Sequence, residues 1–182
     1  TVLAYYNQEM HTAAAYIFNK RSEFLSQFMP LLQSYYEQLS ASKEQVQLNY
    51  KSDLQTQSLL HWLEKELYHD VRLQRTNKGI HKDDLVFSLQ GQSLKQFGSQ
   101  GQKKSFLFAL KLAQYHFIKE NMQQTPILLL DDVFEKLDNE RMEALLGIIS
   151  GPRFGQVLLT DTDPKRLVRA FSEQAAVQYI AL

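Results

Sequence analysis

Cysteine is absent from the 182 residues, which excludes disulfides, thiolate metal sites and cysteine nucleophiles and is compatible with a reducing compartment. Proline (4) and glycine (7) are sparse, so each one carries weight as a mark of a turn or a break. No apolar run approaches the roughly 20 residues of a membrane span, and no basic-then-apolar signal segment opens the chain. Excess charge of one sign is missing too: 20 lysines and arginines meet 20 aspartates and glutamates, 10 against 10 in residues 1–100 and again in 101–182. That balance removes the composition argument for a nucleic-acid or anionic-membrane partner and leaves only a local basic patch open. Internal repeats and low-complexity tracts are absent. What is present, 44% apolar and 22% charged residues, is the composition of a soluble globular chain, one domain or a domain with an appendage. The chain opens on Thr1 rather than methionine, as expected of a piece cut from a longer protein.

The first forty residues predict helix, with Leu3, Tyr6, Met10, Ala13, Ile17, Phe18, Phe24, Leu25, Phe28 and Leu32 recurring at helical steps. Pro30 should kink or divide that stretch. Val46, Leu48 and Tyr50 alternate as a half-buried strand. A second helix is expected over about Gln57–Arg75, its stripe made by Leu59, Leu60, Leu63, Leu67 and Val71. After a polar loop over Thr76–Asp84, Leu85–Leu89 reads as a strand and Gln90-Gly91-Gln92 as a hairpin turn into a strand over Ser93–Phe97. From there long helices alternate with short apolar strands. A helix is expected over about Gly101–Asn121, with Phe106, Leu107, Leu110, Leu112, Ala113 and Phe117 inward. Then follow a strand at Ile127–Leu130, a helix over Asn139–Ile149 stopped by Gly151-Pro152, and a strand at Val157–Leu159. A short helix after Pro164 and a closing strand over Ala176–Ile180 complete the pattern. Apolar strands separated by helices imply a parallel sheet with helices on its faces.

Two segments carry chemistry. Ile127-Leu128-Leu129-Leu130-Asp131-Asp132 delivers carboxylates to the end of an apolar strand, the edge where open α/β sheets bind ligands. In P-loop ATPases such a Walker B strand supplies one acid for Mg²⁺ and another that can orient the attacking water; the alternative is a core strand ending in a helix-capping acid. Phe97-Gly98-Ser99-Gln100-Gly101-Gln102-Lys103-Lys104-Ser105 precedes a long helix, where backbone N–H groups and the helix dipole favour an anion; the alternative is a turn that caps the helix. It is not a Walker A loop, because Gly101 is followed by Gln102, and G-x-x-x-x-G-K-[ST] occurs nowhere in the chain.

Taken together these pieces resemble the second half of an ABC-type ATPase head. Ser99-Gln100-Gly101-Gln102 is similar to the signature sequence, with Gln100 in place of its first glycine. The Walker B strand follows, then Glu135-Lys136-Leu137-Asp138 at the D-loop, then Thr160-Asp161-Thr162-Asp163 at the switch segment. The Ser-Gln-Gly-Gln signature, the Asp131-Asp132 pair and Thr76-Asn77-Lys78-Gly79-Ile80-His81-Lys82-Asp83-Asp84-Leu85 together resemble the RecF family of recombination and gap-repair proteins. Ile80 stands where that family usually has proline, Lys82 where it usually has arginine, and no histidine occupies the switch position.

The resemblance implies an α/β fold, the C-terminal half of an ABC-type P-loop ATPase head. Residues 1–75 would be a mainly helical arm and 76–182 the ATPase half, with the Walker A half upstream of Thr1. It implies ATP and Mg²⁺ as cofactors of the whole protein. Asp132 would be the catalytic acid and Asp131 the Mg²⁺ ligand, through water. Ser99, Gln100, Gly101, Gln102 and Asp138 would act on a partner subunit's ATP, and Asp161 and Asp163 would form the switch segment. The implied activity is a slow, DNA-stimulated ATPase whose ATP-dependent homodimer acts at gapped or junction DNA with recombination mediator proteins to assist recombinase loading. The implied location is the bacterial cytoplasm, in association with the nucleoid and not with membrane.

Other readings predict different outcomes. Another SMC-like ABC ATPase head would share these motifs. A metal-dependent nuclease or topoisomerase-type domain would use Asp161-x-Asp163 but has no need of Ser99–Gln102. A purely structural module would use the acids only as caps. His81, Asp83 and Asp84 could be metal ligands, part of a solvated loop, or a structural loop near the nucleotide; His11, His61, His69 and His116 lack ligand spacing. The aromatic residues of the first arm read as core. Because Asp131 and Asp132 are here without the P-loop's backbone N–H groups and lysine, residues 1–182 alone are expected to bind ATP–Mg²⁺ negligibly. Calorimetric titration with a non-hydrolysable ATP analogue checks this, and tight Mg²⁺-dependent binding would refute the half-site reading.

Overall fold

A computed structural model of the chain describes residues 2–41, 44–133, 135, 137–162, 168, 171 and 177–180. The chain divides into two compact units, one of residues 1–30 and 46–96, the other of residues 31–45 and 97–182. Helix α1, Val2–Leu39, contributes to both. It runs through Pro30 without a break, contrary to the expected division. Pro30 is exposed, so the carbonyl left unpaired at Ser26 faces water, while Leu25, Phe28, Leu32, Tyr35, Tyr36 and Leu39 are buried on either side of it. Leu3, Tyr6, Met10 and Phe24 are exposed; their spacing marked them for the core.

In the first unit, β1 (Val46–Lys51), β2 (Asp84–Leu89) and β3 (Gln92–Ser93) form an antiparallel sheet in that order. Val46 pairs with Leu89 and Lys51 with Asp84. The β2–β3 hairpin closes with two residues, Gln90 (φ 49°) and Gly91 (φ 80°), the positive-φ pair that matches the twist of the strands. The expected strand over Ser93–Phe97 is shorter: after Ser93 the chain turns into α4, Leu94–Phe97. Gln57–Arg75 is two helices, α2 (Leu59–Lys65) and α3 (Leu67–Leu73), separated at Glu66. Glu66, at φ −93° and ψ 1°, breaks the stripe, so Leu59 and Leu63 are buried with Ala14, Leu54 and Ile80 while Leu67 and Val71 are exposed.

The Thr76–Asp84 loop is internally bonded. Asn77 donates twice to Asp70, His81 Nε2 lies 3.0 Å from the Thr76 carbonyl, and Lys78 pairs with Asp53 at 2.8 Å over the Trp62 ring. Asp83 accepts from Arg21 at 2.7 Å and from Tyr50 at 2.5 Å. That pairing makes Asp83 a structural acid, and no group of three metal-ligating side chains occurs among the described residues.

In the second unit, α5 (Gln100–Met122) and α6 (Asn139–Ile149) accompany two parallel strands, β4 (Leu128–Leu130) and β5 (Val157–Leu159). Leu128 and Leu130 are buried, whereas Ile127, Leu129 (64% exposed) and Leu158 turn an apolar face outward; the sheet is therefore covered on one face only among the described residues. Tyr115 packs on Phe154 with ring centres 4.7 Å apart and accepts the Gly155 N–H, and a Cβ at Gly155 would lie 2.7 Å from Thr125. Residues 177–180 form no strand, and the expected helix after Pro164 lies largely outside the described residues. No helix of the described residues is long and apolar enough to cross a membrane.

Leu107, expected inward, is 48% exposed, while Leu112 on the same helix is fully buried. Leu112→Ala should therefore lower unfolding free energy by about 2–5 kcal/mol, and Leu107→Ala by no more than about 0.5 kcal/mol, measured by urea denaturation; equal losses would contradict this packing.

Candidate functional site

Ser99 is the N-cap of α5, in extended backbone at φ −63° and ψ 163°. Its Oγ accepts the Gln102 N–H at 3.2 Å, and Gln102 Oε1 accepts the Ser99 N–H at 2.8 Å. This capping box satisfies two N–H groups that a helix start otherwise leaves unpaired. Because Oγ is used as an acceptor, the Ser99 O–H remains available as a donor, and Ser99 and Gln100 are both exposed. Gln102 faces inward instead: its Nε2 donates to Glu44 at 2.8 Å. Gly101 is partly buried in the first turn.

The acids at the end of β4 are fixed by the neighbouring strand. Thr160, directly after β5, donates its hydroxyl to Asp131 Oδ1 and accepts the Asp132 N–H at 3.0 Å. Its backbone bridges Leu130 and Val133 at 3.0 and 3.1 Å. Asp132 has left-handed backbone, φ 51°, a conformation that aspartate tolerates better than most residues. Lys104, two residues beyond the signature-like sequence, donates to the Asp132 main-chain oxygen and lies 3.8 Å from its carboxylate. A hydrogen bond with the Glu135 carboxyl, then partial burial, raises the Asp132 carboxyl above its ordinary value; Lys104 opposes the shift, and the charges of Glu135 and Asp161 add to it. Asp131 is exposed and has one oxygen engaged by Thr160. A single carboxylate of this kind fits a hydrated Mg²⁺ that takes its remaining ligands from water and phosphate.

Asp138 caps α6, its Oδ1 accepting the Arg141 N–H at 2.8 Å. Arg141 reaches back with Nε 3.4 Å from Asp138 Oδ2, and donates to Ser105 Oγ and to Glu44, each at 3.0 Å. Glu44 also accepts the Tyr36 hydroxyl at 2.6 Å. The Ser99–Gln102 segment and the Asp138 cap are thus joined through Glu44 and Arg141, while Asp131, Asp132 and Asp161 gather at the β4–β5 edge and Lys104 links α5 to them. Asp163 and Lys136 lie outside the described residues. Sequence reasoning missed Glu44 and Arg141 as members of the site. Lys104 and Thr160 lie in the segments singled out by the sequence, but their bonds to Asp131 and Asp132 carried no local signal.

Burial disfavours the Glu44 charge, yet the Gln102 and Tyr36 hydrogen bonds and Arg141 together hold its carboxyl below the ordinary range. A depressed carboxyl stabilises the fold above its unfolded pKa, about 4.3, and that stabilisation is lost as pH falls through the folded value. Urea midpoints of the protein should therefore fall on acidification below about pH 4.3, and Glu44→Gln should make that decline shallower; an unchanged acid slope would show that the fold does not depress the Glu44 carboxyl.

No family model matches the chain. Among curated proteins it is 43% identical over 164 residues to the DNA replication and repair protein RecF of Flavobacterium johnsoniae, an alignment covering 90% of this chain and 46% of that protein. It is 42% identical over 164 residues to the protein of the same name from Bacteroides fragilis, with 90% and 44% covered, and 38% identical over 161 residues to that of Cytophaga hutchinsonii, with 88% and 43% covered. The chain therefore spans a little under half the length of the curated relatives it matches. Two solved structures of the recombination mediator protein RecF in the RecFOR pathway, as RecF-ATPrS and as RecF-ATP, share its fold with TM-scores of 0.72 and 0.74 at 23% identity, covering 90% of this chain and 46% and 45% of those chains. The fold is thus the α/β fold of those RecF structures.

Proposed function

We propose, from the premise that this chain belongs to the RecF family of DNA replication and repair proteins, that it is the signature and Walker B part of an ATPase whose nucleotide is completed by a second subunit. The observation that carries the reading is the pairing of an exposed, hydroxyl-bearing N-cap at Ser99 with an acid pair at a parallel strand edge, tied together by Lys104. Neither feature alone selects this chemistry.

In this reading Walker A lies elsewhere in the longer protein and supplies the P-loop contacts to phosphate. Ser99 donates its free O–H to the γ-phosphate held by the partner, where the start of α5 adds N–H groups and a favourable dipole. Asp131 would hold a hydrated Mg²⁺, which when bound would supply neutralisation of charge on the phosphates. Asp132 orients the water that attacks the γ-phosphorus as the bond to the ADP oxygen breaks. Its carboxylate is one methylene shorter than the glutamate usual in ABC ATPases and so sits further back, which suits slow hydrolysis and a timing role. Asp138 turns the D-loop segment toward the partner, and Asp161 and Asp163 belong to the switch segment. ATP binding is read out as homodimerisation on gapped or junction DNA, in company with recombination mediators that load recombinase. Contacts to DNA are mainly to phosphates and weaken with salt.

Two variants of the intact protein separate the roles. Ser99→Arg should bind ATP nearly as tightly as the parent but fail to dimerise with ATP. Asp132→Asn should dimerise, hydrolyse ATP about 10²-fold more slowly, and keep its dimer longer. Light scattering with ATP, alongside phosphate release, checks both; normal dimerisation of Ser99→Arg, or loss of nucleotide binding in Asp132→Asn, would defeat the assignment.

A further inference from the structure

Glu44 and Arg141 form an ion pair with several further hydrogen bonds and have no part in the chemistry above. Their side chains are 14% and 15% exposed and meet at 3.0 Å. A pair so far removed from water costs more than its attraction returns unless the remaining donors and acceptors are matched. Here they are matched. Glu44 Oε1 takes Gln102 Nε2 and Arg141, and Oε2 takes the Tyr36 hydroxyl. Arg141 gives its other groups to the buried Ser105 and to Asp138.

The bonds run to particular places. Gln102 closes the capping box that sets the Ser99 side chain, Ser105 lies one turn further along α5, and Asp138 is the cap of α6. Planar, forked arginine can hold two directions at once, which lysine cannot.

We infer that Glu44 and Arg141 are positioning residues that hold the Ser99 hydroxyl and the Asp138 segment in one fixed register, so that both meet a second subunit's nucleotide together. The inference rests on the dimer reading proposed above. It assigns to Glu44, which belongs to none of the ATPase motifs, control over how well this face engages a partner.

Replacing Glu44 by glutamine keeps the size and can keep an oxygen toward Gln102 and Arg141 with its N–H₂ donating to the Tyr36 hydroxyl, but it removes the negative charge that holds Arg141. In the intact protein, Glu44→Gln should leave ATP affinity within about twofold and weaken ATP-dependent dimerisation at least tenfold, which is about 1.4 kcal/mol. A merely structural role would also weaken the dimer, so the deciding readout is a double-mutant cycle with Ser99→Ala. If Glu44 acts by aiming Ser99, Glu44→Gln should weaken the dimer of the Ser99→Ala protein less than threefold further. Independent, multiplying losses would overturn the inference, as would wild-type dimerisation of Glu44→Gln. If Ser99→Ala and Ser99→Arg both dimerise normally, the dimer reading itself fails, and this inference with it. Should Glu44→Gln not fold, Tyr36→Phe, which removes one hydroxyl, replaces it in the same cycle with a smaller loss and the same requirement of non-additivity.

Discussion

Parallel strands are held in register by slanted backbone bonds, and in this molecule the pairing of Leu130 with Leu159 decides what stands beside the acids. One residue past that pair, Thr160 meets Asp131 and Asp132 and bonds to both. A shift of one residue would replace that hydroxyl by Asp161, a third negative group against two others, which is electrostatically untenable without a cation. The buried side chains of Leu128 and Leu130 prevent the shift, because a strand slipped by one residue turns its buried side outward. The chemistry at the strand edge therefore depends on apolar packing beneath it.

Lys104 extends this arrangement to α5. Its ammonium bonds the Asp132 main chain and lies near the carboxylate, so the helix that begins at Ser99 also supplies a cation to the acid pair. Glu135 and Asp161 add negative charge around Asp132, and Lys104 opposes it. In the reading proposed above, such a cluster of acids suits a metal-bound phosphate better than a bare one.

The elements with strong local signals were legible. The limits of α6, Asn139–Ile149, and β5, Val157–Leu159, follow from an aspartate cap, Gly151-Pro152 and an unbroken apolar run. The start of α5 follows from Ser99 and Gln102 three residues apart. Pro30 misled because its effect depends on which side of the helix it occupies, and that is decided by packing. Ser93–Phe97 misled because a hairpin turn at Gln90-Gly91 guarantees a returning strand but not its length; with two residues paired, the local preference of Leu94-Lys95-Gln96 for helix took over. Glu44 was not legible at all. It lies 58 residues from Gln102 and 97 from Arg141, in a segment without periodicity, and only the folded chain reveals that it has partners.

The positive φ of Asp132 bears on which amino acids this position can hold. Left-handed backbone costs an ordinary L-residue roughly 1–2 kcal/mol and is relieved chiefly for glycine, asparagine and aspartate. With Asp132 at φ 51°, the backbone adds that cost to a longer acid placed there; glutamine takes nearly the same φ at Gln74, Gln90 and Gln123, so a longer side chain is disfavoured and not excluded. Aspartate, asparagine and glycine carry this backbone at least cost while Thr160 and Lys104 hold the turn in place, and of these three only aspartate brings a charge. Side-chain length and backbone shape are thus coupled at this one residue.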